Sequence, residues 1–163
     1  MTLQGGCKWI MFCCIASGLS SALVWATPPS TFNTTIGSAL LCMDALDPGY
    51  FYTYLTQTFG APYQHQGGAW WFKTPNTKLW NVPITSVLVS DGQGSLLFIA
   101  AMSEVPTEKL SLAIYNDSGT LFTPGTDGNW PLLVSNTGSI IAWDKTKSKI
   151  YCAKDKRLFR LQR

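Results

Sequence analysis

Charge is scarce in this chain, and histidine is scarcer. Only 13% of the 163 residues are charged, and His65 is the single histidine. That scarcity excludes much chemistry. A zinc centre takes three or four nitrogen or sulfur ligands, more than one histidine and two paired cysteines supply. A calcium loop needs acids at alternating positions, and Asp117 to Asp127 offers too few. Nucleophilic catalysis needs a nucleophile beside a base, yet there is no Gly-x-Ser-x-Gly elbow and no Ser-x-x-Lys pair. Glycosidase chemistry needs two carboxyls at a set separation. Asp44 and Asp47 are the nearest pair in the first third, and Asp47 reads better as a helix cap. No metal and no cofactor is expected. A disordered chain is excluded from the other side, because 46% of the residues are apolar and 13% aromatic.

Charge is also absent from the start of the chain. Lys8 is the only charged residue before Asp44, and it precedes the apolar run Trp9 to Trp25. A short basic region, an apolar stretch and small residues near its end form a secretory signal. Val24-Trp25-Ala26 places the cut after Ala26, leaving Thr27 to Arg163 as a single domain. An uncleaved N-terminal anchor is the alternative, since about 17 apolar residues approach the length of a membrane span. No lipoprotein cut is expected, because Phe12 and Cys13, rather than a small residue, precede Cys13 and Cys14. The expected location is the periplasm or the medium, with no nucleic-acid partner.

Export leaves two cysteines, Cys42 and Cys152, once Cys7, Cys13 and Cys14 depart with the leader. In an oxidising compartment such a pair is expected to form a disulfide; two buried thiols are the alternative. The bridge would close a loop of about 110 residues, worth up to roughly 4–5 kcal/mol on the chain-entropy account.

Several elements announce themselves. Thr34 or Thr35 caps a first helix running from Ile36 to about Leu46. Asp47-Pro48 starts a second, ended by Gly60 and Pro62. Strand signals follow at Ala69–Lys73, from Leu79, at Ile84–Ser90 and at Ser95–Met102, with turns at Pro75–Lys78 and Asp91–Gly94. Pro106 to about Asn116 has helical spacing. Leu121-Phe122, Leu132–Ser135, Ser139–Trp143 and Lys149–Ala153 complete the strands. This order predicts an α+β fold, with a helical pair and a further helix packed on one face of an antiparallel β-sheet.

Three features are candidates for function. Tyr63, His65 and the adjacent Trp70 and Trp71 flank a Gly-rich loop between the second helix and the first strand. Strand neighbours point to opposite faces, so one of the two tryptophans is expected away from the core, where it could stack on a sugar or a partner residue. Trp130 sits beside a loose loop, Thr123 to Asn129, of the kind that carries binding contacts. The third feature is a basic end. Thr27 to Trp143 has a net charge of −4, whereas Asp144 onward has +6. Lys154, Lys156, Arg157, Arg160 and Arg163 alternate there with Leu158, Phe159 and Leu161, a composition suited to anionic lipid or an acidic protein.

The stretch Asp47 to Phe72 runs from a helical pair through Gly60-Ala61-Pro62 to Trp70-Trp71. It resembles small envelope modules of the outer-membrane-assembly lipoprotein and β-lactamase-inhibitor-like type, in which a helical pair ends at a Gly-x-Pro before a Trp-containing antiparallel sheet. The resemblance covers under a fifth of the chain and implies a fold without site residues.

The expected function is that of an exported, non-catalytic envelope binding protein. Of the two readings that share the features, the leading one is an inhibitor or immunity-type protein that uses its aromatics against a protein partner. The other is an envelope assembly or cell-wall and lipid-binding module, with exposed Trp for glycan and the basic end for anionic lipid. A hydrolase pairing His65 with Asp44 or Asp47 is a third, weaker reading.

Overall fold

Asp47 sets the clearest boundary in the computed structural model, which describes residues 28–125, 132–144 and 146–157. Its carboxylate accepts from the backbone N–H groups of Gly49 and Tyr50 at 2.9 and 3.2 Å, and helix α2 (Pro48–Phe59) follows with proline in its first turn. Gly60, at φ 86°, ends it. Helix α1 (Phe32–Leu40) stops earlier than its sequence suggests, because Leu41 and Cys42 turn out of the helix, Cys42 at φ 58°. Helix α3 (Thr107–Ser118) begins after Pro106 and closes on Gly119 in the left-handed conformation.

The strands are β1 (Gln64–Gln66), β2 (Ala69–Leu79), β3 (Val82–Ser90), β4 (Leu96–Ser103), β5 (Phe122–Pro124), β6 (Leu132–Ser135), β7 (Ile140–Asp144) and β8 (Lys147–Asp155). They form one antiparallel sheet in the order β1-β2-β3-β4-β8-β7-β6-β5. Two four-stranded meanders therefore meet at the β4–β8 seam, and α3 carries the chain from one to the other. The expected α+β arrangement is found.

The turn expected at Pro75–Lys78 is not a turn. Strand β2 continues through Pro75, and an irregularity between Lys73 and Thr77 absorbs Asn76 at φ 54°. The hairpin turns instead at Trp80 and Asn81, both at positive φ, as a two-residue hairpin that matches the sheet twist requires. The Trp80 ring lies over α1, where a Cβ on Gly37 would approach it at 3.5 Å.

The described helices cover one face of the sheet. Phe72, Val87, Ala101, Ile150 and Ile141 are successive cross-strand partners, and all belong to the main core with Ile36 and Leu40 of α1, Leu55 of α2, and Leu110 and Ile114 of α3. Cys42 and Cys152 are disulfide-bonded, with Cα atoms 5.3 Å apart, so the bridge ties the end of α1 to the middle of β8. Beside it, the buried Ser139 hydroxyl donates to the Leu40 carbonyl at 2.7 Å. Residues 1–27, which contain the stretch expected to be a leader, and Trp130, Arg160 and Arg163 lie outside the described residues.

Candidate functional site

The Gly67-Gly68 turn holds the β1–β2 hairpin, with both glycines at positive φ. Its register sets His65 opposite Trp70. The imidazole stacks on the indole at 3.7 Å between centroids and 17° between planes. His65 Nε2 lies 2.9 Å from Asp91 Oδ2, in the β3–β4 turn. The Asp91 carboxyl is held below the usual carboxylate range, first by the Gln93 N–H at 2.9 Å and then by His65. Asp91 N–H donates to the Gly68 carbonyl, so the two turns are fastened together.

This arrangement corrects the hydrolase reading. His65 pairs with Asp91 rather than with Asp44 or Asp47. Asp47 caps α2, and the Asp44 carbonyl accepts from Lys154 Nζ at 3.3 Å. Among the described residues no nucleophilic side chain hydrogen-bonds to the imidazole.

Trp70 and Trp71 take opposite faces. Trp70 packs on the covered side, with the Tyr52 ring of α2 edge-on to it at 5.6 Å and to Phe72 at 5.7 Å. Phe32, Tyr54 and Phe59 extend this aromatic seam along the two helices. The seam is built of aromatic rings, a lining suited to holding apolar matter. Trp71 lies on the bare side, where its Nε1 donates to the Gln66 carbonyl at 3.3 Å. Tyr63 is exposed under the Lys73 ammonium, 5.2 Å from its ring, at the mouth of an open groove of about 740 Å³ along the irregular part of β2.

The described part of the basic end bonds to its own chain. Lys156 Nζ donates to the Gly92 carbonyl, and Arg157 pairs with Asp155 at 2.6 Å, drawing that carboxyl down to about 2. Asp91 has no local sequence signature as the partner of His65, since 26 residues separate them and only strand register joins them.

The helices are fastened unequally. Helix α1 buries five of its nine residues and has the disulfide at its end. Helix α2 buries only Phe51 and Leu55 of its twelve.

The chain is similar to outer-membrane lipoprotein carrier proteins. It is 30% identical to that of Edwardsiella ictaluri over 129 residues and to that of Serratia proteamaculans over 125 residues. Each match takes in 76% of this chain and 59% of the relative, so the chain spans about three-fifths of the length of the curated relatives it matches. No family model matches it, and no solved structure does. Among the described residues no helix is long and apolar enough to cross a membrane.

Proposed function

We propose that this is an exported, non-catalytic binding protein of the envelope that carries a lipid-modified polypeptide, with the acyl chain held between α2 and the sheet. The observation that carries the reading is a lightly fastened helix over a continuous apolar floor. Phe51 and Leu55 are its only fully buried side chains, and Trp70, Phe72, Val87, Val89 and Ile99 lie on the sheet face beneath the helices. The relatives' name supports the same reading.

The magnitudes are compatible. Exposing Phe51 and Leu55 costs about 3–6 kcal/mol, to which the half-buried Tyr52, Tyr54 and Phe59 add, and burying an acyl chain of about ten methylenes returns about 8 kcal/mol. The two sides are of the same order, so an acyl chain can offset the movement of α2. Of the two readings open from sequence, this is the envelope module with lipid as its ligand. An inhibitor would use Tyr63 and Trp71 against a protein partner, and no relative reported above points there.

The test is binding of a synthetic acylated lipopeptide and of the same peptide without acyl chains. A photo-crosslinker at Tyr52 should capture the acylated form alone, and one at exposed Leu112 on α3 should capture neither. Equal capture of both peptides at Tyr52 would sink the proposal.

A further inference from the structure

Among the described residues no helix lies on the second face of the sheet, yet its side chains are not those of a solvated surface. Cross-strand partners Trp71, Leu88, Ala100, Tyr151, Ile140 and Val134 form an apolar row across six strands. Leu88 and Ala100 are buried, and Trp71, Phe98, Met102 and Tyr151 pack half-buried around them, as a cluster separate from the main core. A groove of about 280 Å³ runs here, with Ala69, Ala100 and Ala153 among its lining and Trp71, Phe98 and Tyr151 beside them. Apolar patches of this extent, when rimmed by polar groups, mark contact surfaces.

The rim indicates what is contacted. Lys149 lines the groove and holds its ammonium 5.4 Å from the Tyr151 ring; Lys73 follows Trp71 by two positions on the same face. Of the acids in phase with this face, Asp155 is already paired with Arg157 and Glu104 with Lys147. Indole and phenol rings prefer the headgroup level of a bilayer, and lysine stems let their ammonium groups reach lipid phosphates from an apolar patch. A second copy packed back to back would instead crowd these lysines against their own kind.

The geometry points to this bare face as a docking surface for an anionic phospholipid bilayer, with Trp71, Phe98 and Tyr151 at the headgroup boundary and Lys73 and Lys149 on the phosphates. The inference does not rest on the carrier reading, because it concerns the opposite face and a bilayer rather than a cargo. Burial already pushes the Tyr151 phenol above its ordinary pKa, in keeping with its half-buried ring.

The test is flotation of the full-length protein, as recovered from expressing cells, with phosphatidylethanolamine–phosphatidylglycerol vesicles and, separately, with phosphatidylcholine vesicles. Binding should require the anionic lipid. Lys149→Ala, which disturbs no core contact, should weaken it about five-fold, the contribution of one lysine at an anionic surface. Tyr151→Glu should reduce it to background in a protein that still unfolds cooperatively, with a midpoint lowered no more than that of Trp71→Ala. The inference is overturned by an absence of binding, by equal binding to phosphatidylcholine, or by unaltered binding of both variants, which would put the contact elsewhere in the chain. A dimer that Tyr151→Glu dissociates would overturn it too, in favour of self-association. Since no lipoprotein is present, any of these results leaves the carrier reading to its own test.

Discussion

The two faces of this sheet are made from the same strands, often from adjacent residues, and they come to opposite ends. Trp70 goes under Tyr52 of α2, and Trp71, one residue on, stays bare. On the covered face the large side chains Phe72, Ile99, Ile141 and Ile150 are fully buried; on the bare face Phe98, Ile140 and Tyr151 remain half-exposed. Apolar patterning on its own therefore does not say which face is the core. The helices decide, and what they leave over is available for contact.

The largest expected break in this contrast is at the disulfide, which fastens only the covered side. Replacing Cys42 and Cys152 together with alanine should remove about 4–5 kcal/mol of stability, as loop entropy predicts for a bridge of 110 residues. Urea denaturation would read this, and a loss under about 1 kcal/mol would mean that the α1 end is held by packing alone. Next in size is a matched pair. Phe72→Ala should cost about 3–4 kcal/mol through the cavity it leaves, and Trp71→Ala about 1 kcal/mol. Equal costs would erase the distinction between the faces.

The smallest effect belongs to the hairpin at their border. The Asp91 carboxyl titrates lower in the folded protein than in the unfolded chain. It therefore adds stability above the ordinary carboxylate range and loses it as the pH falls through the lowered value. Asp91→Asn should flatten the fall in melting temperature between about pH 5 and about pH 3. An unchanged slope would show that the pair with His65 contributes nothing to folding.

The legible parts of the fold were those written in local chemistry. Asp47-Pro48 and Gly60 bounded α2, and cysteine arithmetic gave the bridge. Alternation along β2 also predicted that Trp70 and Trp71 would part. Strand β1 was hidden because Gln64-His65-Gln66 has no apolar alternation and is held only by its pairing with β2. The turn at Trp80-Asn81 was hidden for the opposite reason. Pro75-Asn76 looks more like a turn, and an aromatic residue at φ 51° is held by contacts distant in sequence, its ring near Gly37 and its N–H on Asn33 Oδ1. The site was less legible than the fold. Side chains at residues 65 and 91 meet through strand register, and the placing of all three described helices on the side away from Trp71 and Tyr151 is a fact of topology that no window of sequence contains.

The β4–β8 seam has a consequence for how the chain comes together. Strand β4 finds its second neighbour only in β8, the last of the described strands in chain order, and Cys42 finds its partner on the same strand. Until β8 arrives, the first meander presents an open strand edge and a reduced thiol, both reactive toward other chains. The final strand thus acts as a keystone. Edge pairing of β4 and closure of the bridge depend on the arrival of one and the same strand.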